Sequence, residues 1–160
     1  SRKEAENHDS GTARDERNTQ LFGLIMAFIQ RRITIVTMRK PARASLNDEL
    51  QWFGSSLGLF GQRDKDKSMF RVFLELVKAA KTGRPLSSDA IAETLALTRG
   101  TVVHHINKLI EAGIVLYDGK HYWLRDNSLE LLIEEVQKDT ERTIEDLRKA
   151  AREIDQMLGL

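Results

Sequence analysis

The spacing of apolar positions changes several times along the chain, and each change marks a boundary. Residues 1–20, SRKEAENHDSGTARDERNTQ, hold almost no large apolar side chain and mix both signs of charge. Burial there cannot offset the entropy of ordering, so a disordered tail is expected. The following run, LFGLIMAFIQRRITIVTMRK, is apolar from Leu21 to Ile29 apart from Gly23, until Arg31 and Arg32 interrupt it. A bilayer span needs roughly 20 such residues. A buried or partner-binding helix is therefore preferred, with membrane-surface contact through 21–32 as the alternative. MRKPARASLNDEL also reads as the opening of a soluble chain, which makes Met38 a candidate natural start.

Helical spacing begins at Ser45, a predicted N-cap with Asp48 three residues on, followed by Leu46, Leu50, Phe53, Leu57 and Phe60 at intervals of 4, 3, 4 and 3. Gly54, Gly58 and Gly61 weaken that helix in isolation, so it needs a packing partner. GQRDKDKS is a charged linker. MFRVFLELVKAAKTG then predicts an apolar-faced helix closed by Gly83. Ser87 or Ser88 caps a short helix, DAIAETLAL, and Thr98 caps a third that runs over residues 98–112 to Gly113. IVLYDGKHYWLR alternates, and its Asp118-Gly119 pair signals a two-residue hairpin turn.

Beyond the hairpin, Leu129, Ile133, Val136, Thr140, Thr143, Leu147, Ala150, Ile154 and Met157 recur at alternating intervals of 4 and 3. Such a heptad seam predicts a long coiled-coil-like helix, interrupted by a polar layer at Thr140 and Thr143. Leu129, Ile133, Val136, Leu147, Ile154 and Met157 are its candidate dimerisation residues. Packing of the same helix onto its own domain is the competing reading.

The segment LSSDAIAETLALTRGTVVHHINKLIEAGIV followed by DGKHYWL resembles the ArsR/MarR-type winged helix-turn-helix transcriptional regulators. The features that carry the resemblance are Ile91-Ala92, the Thr98 cap, Thr101-Val102, His105-Ile106, Leu109 and Glu111-Ala112-Gly113-Ile114. The expected fold is mainly α with a small β-hairpin. Its predicted parts are a tail over 1–20, an N-terminal extension and helix over 21–67, a winged helix-turn-helix domain over 68–126, and a dimerisation helix over 127–160. The resemblance implies DNA reading by the start of the third helix and pairing through terminal helices.

A helical wheel reaches the same helix independently. At about 100° per residue, Val102, Ile106, Leu109 and His105 fall on one side. Gly100, Thr101, His104, Asn107 and Lys108 fall on the other, with Val103 at the margin. A face of donors and one cation suits the major groove, whose base edges present acceptors and the thymine methyl. The candidate DNA-binding residues are Thr98, Arg99, Gly100, Thr101, Val103, His104, Asn107 and Lys108, with Lys120 on the wing. Arg99 suits guanine or a phosphate, Asn107 adenine, Val103 a thymine methyl and Lys108 a phosphate. Tyr117, Tyr122 and Trp123 are expected in the hairpin core.

Composition narrows the function without naming it. The net charge of +1 conceals a middle (21–44) with five basic and no acidic residues and a tail (127–160) with five basic and nine acidic ones. Bulk charge therefore does not by itself call for a nucleic-acid partner. With no cysteine there is no thiolate metal site and no disulfide, which fits a cytoplasmic setting. His104 and His105 diverge by about 100° and do not readily share an ion. No nucleophile elbow or phosphate loop occurs, so neither an enzyme nor a cofactor is expected, and no small-molecule ligand is evident. The expected function is a homodimeric, sequence-specific regulator of double-stranded DNA that acts as a repressor. The alternative is a winged-helix interaction module of a protein complex.

Overall fold

The computed structural model describes residues 31–43, 45–61, 64 and 67–160. The expectations for residues 1–20, and for the apolar run 21–29, lie outside the described residues. The order is α1 (Leu46–Ser56), α2 (Ser68–Thr82), α3 (Ser88–Leu95), α4 (Arg99–Glu111), β1 (Val115–Tyr117), β2 (Tyr122–Leu124) and α5 (Leu129–Leu158). This is the mainly helical chain with one small hairpin that the patterning predicts, a winged helix-turn-helix flanked by α1 and a long C-terminal helix. No helix among the described residues is long and apolar enough to cross a membrane.

Side-chain oxygens start four of the five helices among the described residues. Ser45 and Asp48 form a reciprocal capping box on α1, while Ser87, Thr98 and Ser128 accept from Ala90, Thr101 and Leu131. At α2 the capping residue Lys67 is left-handed, and Asp64 substitutes from upstream, accepting from the Met69 amide and the Ser68 hydroxyl, both at 3.1 Å. Helix α1 stops at Ser56, a turn before the end of its predicted stripe, and Leu57 and Phe60 reach the core from the loop beyond. The glycines explain why. A Cβ on Gly54 would lie 2.2 Å from the Phe60 ring, so the bare backbone lets that ring fold back over the helix. Gly58 turns the chain at φ +66 against Thr34.

The core is one cluster centred on Val72, Phe73 and Leu76 of α2, Ile91 of α3, and Val102, Ile106 and Leu109 of α4. Phe60 meets Phe70 and Phe73 edge-on at 5.4 and 6.0 Å, tying the α1 region to α2. The hairpin is antiparallel, with Tyr117 opposite Tyr122 and their rings stacked 4.5 Å apart. Its connection therefore spans residues 118–121, four residues where a two-residue turn was expected. The Asp118 carboxylate accounts for the difference: it accepts from the Lys120 and His121 amides at 2.8 and 2.7 Å and holds a wider loop. Leu86 adds a bridge to Tyr122, exchanging both backbone bonds at 2.9 and 2.8 Å, so the segment before α3 braces the hairpin.

Helix α5 has two halves. Leu132 is fully buried and Val136 nearly so, and Leu129 packs on the core, so the first half uses the domain it belongs to. From Glu141 to the C-terminus every residue is exposed except Glu145, which is half-buried. The N-terminal turns of the seam, including Val136, are thus buried or half-buried within the chain. Leu147, Ile154 and Met157 are 64, 50 and 78% exposed, with no packing partner among the described residues. The Thr140 and Thr143 hydroxyls donate back to the carbonyls of Val136 and Asp139, so this polar layer is satisfied within the helix.

Where the halves meet, a carboxylate gathers arginines from three parts of the chain. Asp139, 8% exposed, accepts on Oδ2 from Arg31 Nη1 at 2.6 Å and from Arg125 Nη1 at 2.5 Å, with Arg142 at 3.8 Å. Arg125 also donates to Glu135 at 3.2 Å. Burial works to raise the Asp139 pKa, but the Arg125 hydrogen bond and the surrounding guanidiniums hold it below the usual carboxylate range.

Candidate nucleic-acid interface

The turn between α3 and α4 sets the presentation of α4. Ala96 is left-handed at φ 52 and ends α3, and two residues later Thr98 starts α4. Arg71 of α2 donates to the Leu95 carbonyl, fixing the end of α3 against the core. Val102, Ile106, Leu109 and Ile110 then face inward. Arg99, Gly100, His104, Asn107, Lys108 and Glu111 are left exposed, with Thr101 and Val103 half-buried at the edges. The wheel derived from sequence thus separates the two faces as observed.

The exposed groups fall into three kinds. Thr98 and Thr101 are bonded to each other through their hydroxyls at 2.8 Å, and Thr98 also accepts from the Thr101 amide. Their first role is to cap the helix. Arg99 reaches back to α3, where Nε lies 3.2 Å from Ser88 Oγ and 3.3 Å from Asp89 Oδ1. Both partners of that ion pair are at least 70% exposed, so it is worth about 1 kcal/mol at most and exchanges readily for another anion. Asn107 and Lys108 make no side-chain hydrogen bond or ion pair among the described residues and stand open to solvent.

The adjacent histidines diverge. His105 is half-buried, its Nε2 2.7 Å from the hydroxyl of Ser68 on α2, whereas His104 is exposed. Their rings lie 5.6 Å apart at 53°. Among the described residues, no three His, Asp or Glu side chains are placed to hold a metal ion. At the hairpin tip Lys120 is exposed, on a loop stiffened by the Asp118 bonds. Burial tends to raise the Asp118 pKa, yet the His121 and Lys120 amides bring it below its ordinary value, so the tip keeps a carboxylate beside its lysine.

Two helices joined by a tight turn, the second capped and outward-facing, with a braced hairpin behind it, make a recognisable frame. Residues 66–117 match the family model for a helix-turn-helix domain. The match covers a third of the chain and stops at the end of β1. No curated protein and no solved structure matches the chain.

Within the helix-turn-helix domain, the predicted positions Arg99, Gly100, Thr101, Val103, His104, Asn107 and Lys108 share one surface, with Thr98 at its edge. Lys120 stands apart on the hairpin. Sequence reading missed Ser88 and Asp89, which hold Arg99 from the first turn of α3. No local signal marks them, because the contact depends on how α3 and α4 cross.

Proposed function

We propose that the chain is a sequence-specific double-stranded DNA-binding regulator of the ArsR/MarR type, acting as a homodimer with α4 in the major groove and repressing by occupying a promoter. The observation that carries this reading is the exposed face of α4. It offers hydrogen-bond donors and a cation at the surface, while Val102, Ile106 and Leu109 on the opposite face are fully buried. Such a helix enters a major groove without disturbing the core that holds it. Arg99 exchanges Asp89 for a guanine edge or a phosphate, Asn107 reads adenine, and Lys108 and Lys120 contact phosphates. The exposed half of α5 supplies the self-association that places two copies of α4 on successive grooves.

Selection of bound duplexes from a random pool, followed by titration against salt, tests the reading. A preferred sequence with log K falling steeply against log salt is expected; a slope near zero with no enriched sequence would refute it. The sparse cations favour one competitor, an interaction module without nucleic acid, since only Arg99, Lys108 and Lys120 face outward in the proposed footprint. A stoichiometric protein partner, combined with the absence of DNA binding, would establish that alternative.

A further inference from the structure

An apolar groove of about 430 Å³ lies between α1, the segment before it, and α5. Its walls include Ile35, Trp52, Phe53, Ile133 and Val136, and Gln137, Thr140 and Glu141 line its edge along α5. The groove is not isolated from the exposed half of that helix. At about 100° per residue, Ile133, Thr140, Ile144, Leu147, Ile154 and Leu158 fall within about 80° of one another. One apolar stripe therefore starts in the groove and continues along the exposed half of the helix to the C-terminus, where Leu158 and Leu160 are 67 and 87% exposed.

The geometry points to an antiparallel pairing of two α5 helices in which the last turn of each copy fills the groove of the other. This rests on the homodimer proposed above and adds its direction and register. Filling the groove sets the overlap, since a deeper one would carry Leu158 past the start of α5 at Leu129, and the charges along the stripe oppose sliding the copies apart. With Leu158 of one copy over Ile133 of the second, Thr140 meets Ala151, Ile144 meets Leu147 and Met157 reaches Val136. Arg148 then lies beside Glu141 of the other copy, twice by symmetry. Sliding the copies apart by one heptad puts Arg148 against itself and Glu141 against Asp155, three like-charge meetings and no attraction. The favoured register also brings Asp155 near Glu134, twice by symmetry, so its two attractions stand against two repulsions, whereas the slid register has three repulsions and no attraction. A parallel pair gives Arg148 no such partner and leaves the groove open, because both last turns lie together at the far end.

The chain has no cysteine, so introduced ones report without background. Full-length Ile133→Cys and Leu158→Cys proteins, mixed and oxidised, should give a mixed disulfide dimer. Within one chain these positions are about 37 Å apart and cannot join. Glu141→Arg or Arg148→Glu alone should raise the dimer Kd about 5- to 10-fold in sedimentation equilibrium, and the double swap should restore it to within about twofold. A monomer at all concentrations would remove the homodimer and this register together. A stable dimer in which Leu158→Cys links to itself would keep the homodimer and overturn the antiparallel register. A stable dimer without the mixed product would also overturn it, whether the groove takes residues 21–29 of its own chain or a foreign peptide.

Discussion

Replacing Asp139 with Asn tests whether the junction of α5 with the domain is held by charge. In the native chain, one carboxylate oxygen accepts from two guanidiniums, Arg31 at 2.6 Å and Arg125 at 2.5 Å. Hydrogen bonds to charged groups contribute about 1.5–3 kcal/mol each. Three considerations bring the expected loss below that sum. Arg125 keeps Glu135 at 3.2 Å, and Arg31 is 31% exposed and can be rehydrated. Asn also retains one neutral acceptor. The expected destabilisation is about 2 kcal/mol at pH 7, or a fall in Tm of roughly 6–10 °C for a domain of this size. The sign with pH follows from the depressed pKa. A carboxylate held below its unfolded value of about 3.9 contributes fully above that value and loses its contribution as pH falls through the lower folded one. The gap between native and Asp139→Asn should therefore be full at pH 7 and shrink below about pH 4. Urea unfolding followed by circular dichroism at pH 7, 5 and 3 measures it, at one protein concentration so that self-association enters both proteins alike. A gap under about 0.5 kcal/mol at pH 7, or one unchanged at pH 3, would show that the arginines do not depend on this carboxylate.

Asn107→Ala should relax sequence preference at one base position, a loss of about 1–3 kcal/mol on the selected site and little on others, whereas Lys108→Ala should weaken all duplexes similarly and flatten the salt slope by about one unit; fluorescence anisotropy on matched and scrambled duplexes separates the two. Ala96→Gly should stabilise the fold by about 0.5–1 kcal/mol, because Ala96 is left-handed at φ 52. A loss of stability in denaturant titration would contradict that reading. Leu132→Ala removes a fully buried side chain and should cost about 2–4 kcal/mol. Ile154→Ala, on the exposed half, should leave monomer stability within about 0.5 kcal/mol and weaken self-association, as sedimentation would show.

What could be read from the sequence was what depends on local periodicity and capping. Thr98 as a cap, Val102, Ile106 and Leu109 as buried, and His104 and Asn107 as exposed follow from a 3.6-residue period and need no knowledge of the neighbours. The split of His104 from His105 follows in the same way, although the partner of His105, Ser68, does not. Contacts between distant segments were not legible. Nothing in the sequence around Arg31 indicates that it meets Asp139, 108 residues later. The early end of α1 was hidden for a related reason. Gly54 and Gly58 read locally as weaknesses, and only the approach of Phe60 and Thr34 shows what the missing side chains make room for.

The heptad seam shows where periodicity stops deciding. The same 4 and 3 spacing runs through Ile133, Val136, Leu147 and Ile154, yet the first two line the chain's own groove and the last two face solvent. A seam specifies that a helix has an apolar side, not which surface covers it. Asp139 marks the changeover, because its buried carboxylate binds α5 to Arg31 before α1 and to Arg125 after β2. The backbone links those same segments to the end of α4: the Arg32 amide donates to the Glu111 carbonyl, and the Arg125 amide to that of Ile114, each at 2.8 Å. The base of the projecting helix and the C-terminal end of the proposed reading helix thus share one set of contacts. The direction in which α5 leaves the domain is fixed relative to α4 by that junction, and any partner bound along its exposed half meets an α4 already oriented.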